Sequence, residues 1–297
     1  MQRIRLRYTK RGRLRFTSHR DFQRAFERAL RRAAVPMAYS AGFTPHPKVS
    51  YANAAPTGTG SEAEYLEIAL TAPRDPQRLR ALLDESLPPG LDIIDAVEAR
   101  TPGLADRLTA SVWELRLDGV APLDAARAVA AFNAAESVEV QRLTKNGMRT
   151  FDARPAVASL TAAEAVTLET SDTSDTFDSF DTNAGSGFVP ARDAGNGGDG
   201  DRAATPGSPA DRPTDRPCAI LRLVVRHVTP AVRPDDVLSG LRAVADLAPP
   251  VPAAVTRLAQ GLFDEETGTV TDPLAPDREA DAALTSAAPT AAATAPA

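Results

Sequence analysis

The stretch QRIRLRYTKRGRLRFTSHRDFQRAFERALRRA, residues 2–33, indicates the fold because its hydrophobic period changes partway along. Over residues 2–8 apolar and basic residues alternate, which predicts a half-buried strand with a basic face toward solvent. A turn and a second short strand over 13–16 are expected to follow. From Ser18, a predicted helix N-cap, apolar residues recur at helical spacing as far as Ala33. The stretch therefore predicts two strands followed by an amphipathic helix.

Similar patterns continue along the rest of the chain. Further strands are predicted for residues 49–54, 65–70 and 92–99, and a helix for 75–87. The resulting order contains βαββαβ, the arrangement of a ferredoxin-like sandwich. A second unit has strands predicted at 111–117, 138–143 and 219–228, an extended or mixed segment at 157–169, and helices at 123–134 and 234–245. We therefore predict an α+β protein of two tandem ferredoxin-like units, residues 1–105 and 106–262.

Two segments have the composition of disordered chain. Residues 171–217 are rich in Asp, Ser, Thr, Gly and Pro and show no sustained periodicity, which predicts a disordered insert in the second unit. A surface hairpin tolerates such an insert because closing a longer loop costs little entropy. Residues 263–297, which end in TSAAPTAAATAPA, are predicted to be a disordered tail.

The composition limits the classes of protein to consider. Cys218 is the single cysteine, so no intramolecular disulfide can form, which fits a reducing compartment. No run of about 18 apolar residues is present, and we expect a cytoplasmic protein without membrane contact. Three histidines and one cysteine do not form the spaced ligand sets of zinc or iron–sulfur sites. We therefore predict neither a metal nor a cofactor.

Positive charge is concentrated at the amino-terminal end. Residues 1–51 hold eleven Arg and two Lys against two acids, a net charge of +11 in a chain whose formal net charge is −5. Five of these arginines lie on the polar face of the predicted helix: Arg20, Arg24, Arg28, Arg31 and Arg32. The planar guanidinium suits phosphate binding and stacking, so this face predicts a polyanion ligand. A solvated helix face is the alternative. RNA is preferred over DNA by fold analogy, because ferredoxin-like sheets are common RNA platforms.

The loop YSAGFTPHPKVSYA, residues 39–52, follows this helix directly. Its prolines restrict the backbone, and its aromatic and basic side chains could contact RNA beside the arginines. The candidate RNA-binding residues in the loop are Tyr39, Phe43, His46 and Lys48. His19 and His46 could also act as acid and base in RNA cleavage. For each histidine alone, a hydrogen-bonding or loop-structuring role is the alternative.

Residues 15–70 carry a series of short motifs. They are F-x-S-H-x-D at 16–21, R-A-L-R-R-A at 28–33, Y-S-x-G-F-x-P-H-P at 39–47 and S-E-A-E-Y at 61–65. On these motifs the chain resembles the radical-SAM-associated domain family. Members of that uncharacterised family are fused behind B12-binding radical-SAM domains or are free-standing. Arg20 departs from the family, in which an aliphatic residue is expected at this position.

The resemblance implies an association with radical-SAM chemistry, with RNA or ribosome-related modification as its setting. A radical-SAM cluster needs three cysteine thiolates, so the enzyme would be a separate polypeptide. We predict an accessory or substrate-binding protein without catalytic activity of its own, which docks a structured RNA through the basic helix and the 39–52 loop. The alternatives are a metal-independent RNA endonuclease that uses His19 and His46, and an adaptor whose arginine face binds an acidic protein.

Overall fold

The computed structural model describes residues 1–145, 147–163 and 217–286. Its strands are β1 (Gln2–Lys10), β2 (Val49–Ala52), β3 (Gly60–Leu70), β4 (Ile93–Glu98), β5 (Ala110–Asp118), β6 (Glu139–Thr144), β7 (Gly147–Asp152), β8 (Val157–Ala163), β9 (Cys218–Arg226), β10 (Ala254–Asp264) and β11 (Thr269–Thr271). Its α-helices are α1 (His19–Arg32), α2 (Pro76–Ser86), α3 (Pro122–Ala134), α4 (Pro234–Ala245) and α5 (Ala275–Ser286). Within these residues the protein is a mixed α+β structure, as predicted.

A nine-stranded sheet organises the structure. Its main path is β4-β1-β3-β10-β5-β9-β8, with β2 also paired to β3 and β11 to β10. Strands β2, β3, β1 and β4 pair antiparallel, and so do β8, β9, β5 and β10. The two groups join where β10 runs parallel to β3, with Thr256 opposite Gly60 and Arg257 opposite Ser61. Strands β6 and β7 form a separate two-stranded sheet.

Helix α1 begins and packs as its sequence predicts. The Ser18 hydroxyl accepts a hydrogen bond from the Asp21 N–H at 3.2 Å, which caps the first turn. The apolar stripe of the helix is buried against β1 and β3 and consists of Phe22, Phe26, Ala29 and Leu30. The ring of Phe22 stacks on that of Tyr8 with centroids 4.4 Å apart. This core fixes the opposite, arginine-bearing face of α1 toward solvent.

The segment 13–16 is not a strand. Residues Gly12–Phe16 form a 3-10 helix, in which the Leu14 N–H donates to the Arg11 carbonyl at 3.0 Å. Gly12 adopts a positive φ of 54°, which ends the extended chain of β1 at the point where the second strand was expected.

The prediction that the basic side of β1 faces solvent also needs correction. Arg5 is only 2% exposed, because α5 and the segment before it cover this face of the sheet. Its guanidinium donates to Asp277 on α5 at 2.5 Å, to Glu67 at 2.9 Å and to the Thr101 carbonyl at 2.7 Å. Because Arg5 needs these acceptors, its burial depends on the carboxyl-terminal helix.

The prediction of a disordered tail over 263–297 is therefore wrong as far as Ser286. Strand β11 pairs with β10, and α5 docks through Asp277, which is fully buried. The Asp277 carboxylate accepts hydrogen bonds from Arg5, Arg107 and the Thr101 hydroxyl, and these partners hold the helix in place. The insert predicted over 171–217 lies outside the described residues apart from Pro217, and the division of the chain at residue 105 stays a prediction.

Candidate nucleic-acid interface

The outer face of α1 carries a row of exposed arginines. At about 100° per residue, the five positions fall within an arc of roughly 120°, opposite the buried phenylalanines. All five side chains are exposed: Arg20, Arg24, Arg28, Arg31 and Arg32. The row spans about 18 Å along the helix, at 1.5 Å per residue. We call this surface the arginine face.

The arginine face is barely neutralised by acids. Arg24 lies 3.9 Å from Asp21, an exposed pair of little strength, and Arg32 donates to the Ser86 carbonyl at 3.0 Å. Within the part of the chain that the structure describes, four of the five make no ion pair: Arg20, Arg28, Arg31 and Arg32. The positive potential of this face is therefore available to an external anion.

Arginines elsewhere on the protein are commonly paired with carboxylates. Arg11 binds both Glu62 and Asp92. Further pairs join Arg142 to Asp236 at 2.7 Å, Arg222 to Glu114 at 2.8 Å and Arg100 to Asp281 at 2.7 Å. The shortage of carboxylates around α1 is thus a local property and does not follow from composition, since the whole chain is acidic.

The 3-10 helix before α1 extends the basic surface, and sequence reasoning missed it. Arg13 and Arg15 are exposed and make no ion pair among the described residues. The Arg15 guanidinium lies 4.5 Å from the ring centroid of Phe16, which is 58% exposed. The adjacent Arg15 and Phe16, just before the Ser18 N-cap, were the available signal for a basic and aromatic surface. The alternation of basic and apolar residues over 13–16 predicts a strand instead, which hides that signal. A base could stack on Phe16 beside this cation.

Backbone and side-chain hydrogen bonds close the base of the loop at residues 39–48. The Ser40 N–H donates to the His46 carbonyl at 2.8 Å, and the His46 N–H donates to the Ser40 hydroxyl at 3.0 Å. An isolated bridge pairs Tyr39 with Pro47. Phe43 is fully exposed at the tip, and Tyr39 is 51% exposed. Two exposed aromatic rings on a closed loop provide a surface on which unpaired bases could stack.

The two candidate catalytic histidines lie in different surroundings. The His19 ring packs edge-on against Tyr51, with centroids 4.8 Å apart, and its Nε2 is 3.1 Å from the Gln23 amide. Burial, with Glu27 nearby, raises the pKa of Tyr51, which keeps this phenol protonated at neutral pH. Tyr51 belongs to the side of β2 that packs against the core under α1.

His46 instead lines a shallow groove with Arg3, Lys48 and Glu67. Glu67 pairs with Arg5, on the side of the sheet that α5 covers. Among the described residues no hydrogen bond or ring contact joins His19 to His46. The two histidines therefore make no direct contact, and their surroundings belong to opposite sides of the sheet.

The candidate residues thus form two surfaces. One is the arginine face with the 3-10 helix before it, and the other is the loop with Tyr39, Phe43, His46 and Lys48. Across the described ranges no hydrogen bond or ion pair connects these surfaces. No helix in those ranges is long and apolar enough to cross a membrane, and no group of three or more His, Cys, Asp or Glu there could hold a metal ion.

Comparison with known proteins identifies the family. A family model described as "Uncharacterized protein conserved in bacteria (DUF2344)" matches residues 3–180, which include α1 and the loop. Among curated proteins, none matches the sequence significantly. The family description names no activity, so the association with radical-SAM chemistry stays a prediction. Because the match covers well over half of the 297 residues, the chain belongs to this bacterial family.

Proposed function

We propose that this protein binds structured RNA through the arginine face, and that it serves a separate radical-SAM enzyme as an accessory or substrate-binding protein. The observation that carries the RNA part is the row of five exposed arginines, for which the described residues provide a single weak carboxylate partner. Binding to such a face releases counterions from the phosphate backbone, which favours association without any base contact.

Exposed aromatic rings favour RNA over an acidic protein as the ligand. Phe16, Tyr39 and Phe43 each expose at least half of their surface. Stacking of a base on an aromatic ring contributes about 1–3 kcal/mol. Structured RNA offers unpaired bases in loops and bulges beside its phosphates, and an acidic protein surface does not.

We also infer that each half of the large sheet is ferredoxin-like. The order β4-β1-β3-β2 in the first half and β10-β5-β9-β8 in the second both support this inference. Helices α1 and α2 connect strands in the first half, and α3 and α4 do so in the second. In this arrangement α1 covers the sheet, so the RNA would contact the helix face rather than the open sheet used by other ferredoxin-like RNA platforms.

The test is a binding assay with an in-vitro-transcribed tRNA over a range of salt concentrations. If the five arginines each neutralise one phosphate, the slope of log K against log salt should be about −3.5 to −4.5. Raising salt fourfold should then weaken binding by about 100- to 500-fold. Charge reversal at Arg24, Arg28 and Arg31 should abolish binding at moderate salt, and the milder Arg→Gln triple variant should flatten the slope to about −1.4 to −1.8.

A matched control separates a local contact from net charge. The variant R127E/R149E/R242E changes the charge by the same amount on exposed positions of the second half. It should retain most of the tRNA affinity and keep the steep slope. We call the charge-reversal variant R24E/R28E/R31E the α1 variant. Equal tRNA affinities for the wild type and the α1 variant, with melting temperatures unchanged, would refute the proposal.

Two further outcomes distinguish the alternatives. Cleavage of the tRNA in EDTA, lost in His19→Ala and His46→Ala, would favour the endonuclease. Failure to bind tRNA would leave the adaptor as the better explanation of the arginine face. The association with a radical-SAM enzyme is tested by crosslinking in cells followed by mass spectrometry. A protein with a three-cysteine radical-SAM motif should be recovered in larger amount with the wild type than with the α1 variant.

A further inference from the structure

A second basic site lies where the two halves of the sheet meet. A cavity of about 300 Å³ opens beside β10, and its walls come from the loop after β2, the end of β9 and the start of α4. Its charged and polar lining residues are Asn53, Arg226, His227, Arg233 and Arg257. No aspartate or glutamate contributes to the lining. The volume is at the small end of the range for ligand pockets.

The buried cation in this cavity is Arg257, which is 2% exposed. Its terminal nitrogens donate to Glu64 and to Gln260, and its guanidinium lies 5.3 Å from the Trp113 ring centroid. Its Nε–H is buried and has no acceptor among the residues that the structure describes. A native structure seldom leaves a buried donor without a partner, so an unpaired donor suggests a group that is not present in the structure, such as a ligand.

Charges around Arg257 do not balance. Glu64 is the carboxylate that pairs with it, and the second Glu64 oxygen accepts the Ala55 N–H at 3.0 Å. Lys10 is buried nearby and donates to the Pro56 carbonyl, and Pro56 lines the cavity. Burial lowers the pKa of this lysine, although Glu64 partly compensates. One carboxylate therefore faces two cations, and a buried charge without a counter-charge is costly.

The rim of the cavity adds two more cations. Arg233 is exposed and makes no ion pair in the described ranges, whereas Arg226 pairs with Glu265 at 2.5 Å. The His227 ring is already engaged at both nitrogens, since Nδ1 lies 2.6 Å from the Leu108 carbonyl and Nε2 lies 2.8 Å from the Ser111 hydroxyl. The His227 imidazole therefore forms part of the cavity wall and has no free nitrogen for a ligand. The guanidinium groups of the lining arginines are the groups that could bind one.

We propose that this cavity binds a small phosphate monoester that carries a flat, uncharged ring, a molecule of the size of a nucleoside monophosphate. Three arginines and the buried Lys10 carry four positive charges, and the carboxylates of Glu64 and Glu265 supply two negative charges. A phosphate monoester carries close to two negative charges at neutral pH and would balance the remainder. The rest of the wall is apolar and includes Trp113, Val225, Val232 and Pro56, which suits the body of such a ligand. This site is separate from the arginine face of α1.

The single tryptophan of the chain reports directly on this cavity, because Trp113 is part of its wall. Titration with uridine 5′-monophosphate should give a saturable change in Trp113 fluorescence, with a matching heat signal in calorimetry. Uridine without phosphate should give no such change, because it lacks the charge that the arginines would bind. Inorganic phosphate should bind more weakly than the nucleotide, because it lacks the ring that would pack against the apolar wall.

Variants at the rim test the assignment without disturbing the core. Arg233→Gln should weaken the nucleotide by about 10- to 150-fold, the range expected for a lost hydrogen bond to a charged group. Arg242→Gln, an exposed position on helix α4, which Arg233 precedes, is the matched control and should bind as the wild type does. The R24E/R28E/R31E variant should also bind the nucleotide normally, so failure here is distinguishable from failure of the RNA proposal.

Three results would each overturn the inference. They are the lack of any saturable signal with the nucleotide at millimolar concentration, equal binding of uridine and its monophosphate, and unchanged binding in both Arg233→Gln and Arg226→Gln. Any of them would leave the unpaired donor of Arg257 as a structural feature without a ligand.

Discussion

Replacing Asp277 with asparagine should test how the carboxyl-terminal helix is held on the sheet. The change keeps the size of the side chain and removes its negative charge. Asp277 accepts hydrogen bonds from Arg5 at 2.5 Å, from Arg107 at 3.0 Å and from the Thr101 hydroxyl at 2.6 Å. Asparagine can still accept from Thr101, but its neutral amide cannot balance two guanidinium groups.

The structure sets the size of the loss. Removing one partner of a buried ion pair costs about 3–5 kcal/mol, because the other charge stays buried and unpaired. Arg5 keeps Glu67 and the Thr101 carbonyl, and Arg107 keeps the carbonyl of Pro273. We therefore expect the lower end of the range, about 3 kcal/mol. At about 2–4 °C per kcal/mol for a domain of this size, the melting temperature should fall by about 6–12 °C.

The pH dependence gives a second measurement. Burial raises the pKa of Asp277, but hydrogen bonds from Thr101 and Arg5 outweigh it, and the pKa of this carboxyl lies below its ordinary value of 3.8. The carboxylate therefore contributes stability that is fully present above about pH 4, the pKa in the unfolded chain, and is lost as pH falls through the lower folded pKa. Urea unfolding of wild type and variant should differ most near neutral pH and converge in acid.

A matched control is available on the same helix. Glu279→Gln removes a carboxylate that is exposed, and it should change the free energy of unfolding by no more than about 0.5 kcal/mol. If α5 detaches before the rest of the domain unfolds, the loss should appear as faster amide exchange over 275–286. A variant Asp277→Asn with unchanged unfolding free energy and unchanged exchange in α5 would refute this account of the carboxyl-terminal helix.

Three other substitutions test the site and its scaffold. Phe43→Ala should weaken tRNA binding by about 1–3 kcal/mol in the same salt titration, with a change in unfolding free energy within about 0.5 kcal/mol, because the ring is fully exposed; a large drop in melting temperature would instead show a structural role. Ser18→Ala should lower the free energy of unfolding by about 0.5–2 kcal/mol in urea, through loss of the α1 cap; no loss would mean that the cap is redundant. Gly261→Ala should cost about 1–3 kcal/mol in the same assay, because a Cβ would overlap the Thr271 carbonyl; an unchanged stability would mean that β11 can shift freely.

The parts of the fold that follow from local hydrophobic period could be predicted from the sequence. Helix α1 was expected over 18–33 and is found at His19–Arg32, because its apolar stripe and its Ser18 cap lie within one short segment. The arginine face follows from the same spacing, since residues four apart share a side of a helix.

Features that depend on distant partners could not be predicted. Strand β10 was not assigned because Arg257 and Gln260 interrupt its apolar pattern, yet both are buried through contacts with β3, almost 200 residues earlier in the chain. The cavity was missed for the same reason, because its lining comes from four segments that are far apart in the sequence, 53–56, 113, 225–234 and 257. Arg5 was expected in solvent because nothing near it in sequence indicates that Asp277 covers it.

The separation of Arg5 from Asp277 has a consequence for how the protein is made. Arg5 is synthesised first, and its buried partner Asp277 is synthesised 272 residues later, after roughly 14–54 s at ordinary elongation rates. The edge of β3 that pairs with β10 also stays unpaired until most of the chain has been synthesised. During that interval Arg5 has Glu67 but lacks Asp277, the face of the sheet that α5 covers is exposed, and the edge of β3 is open. This is the stage at which we expect the nascent amino-terminal half to need a chaperone.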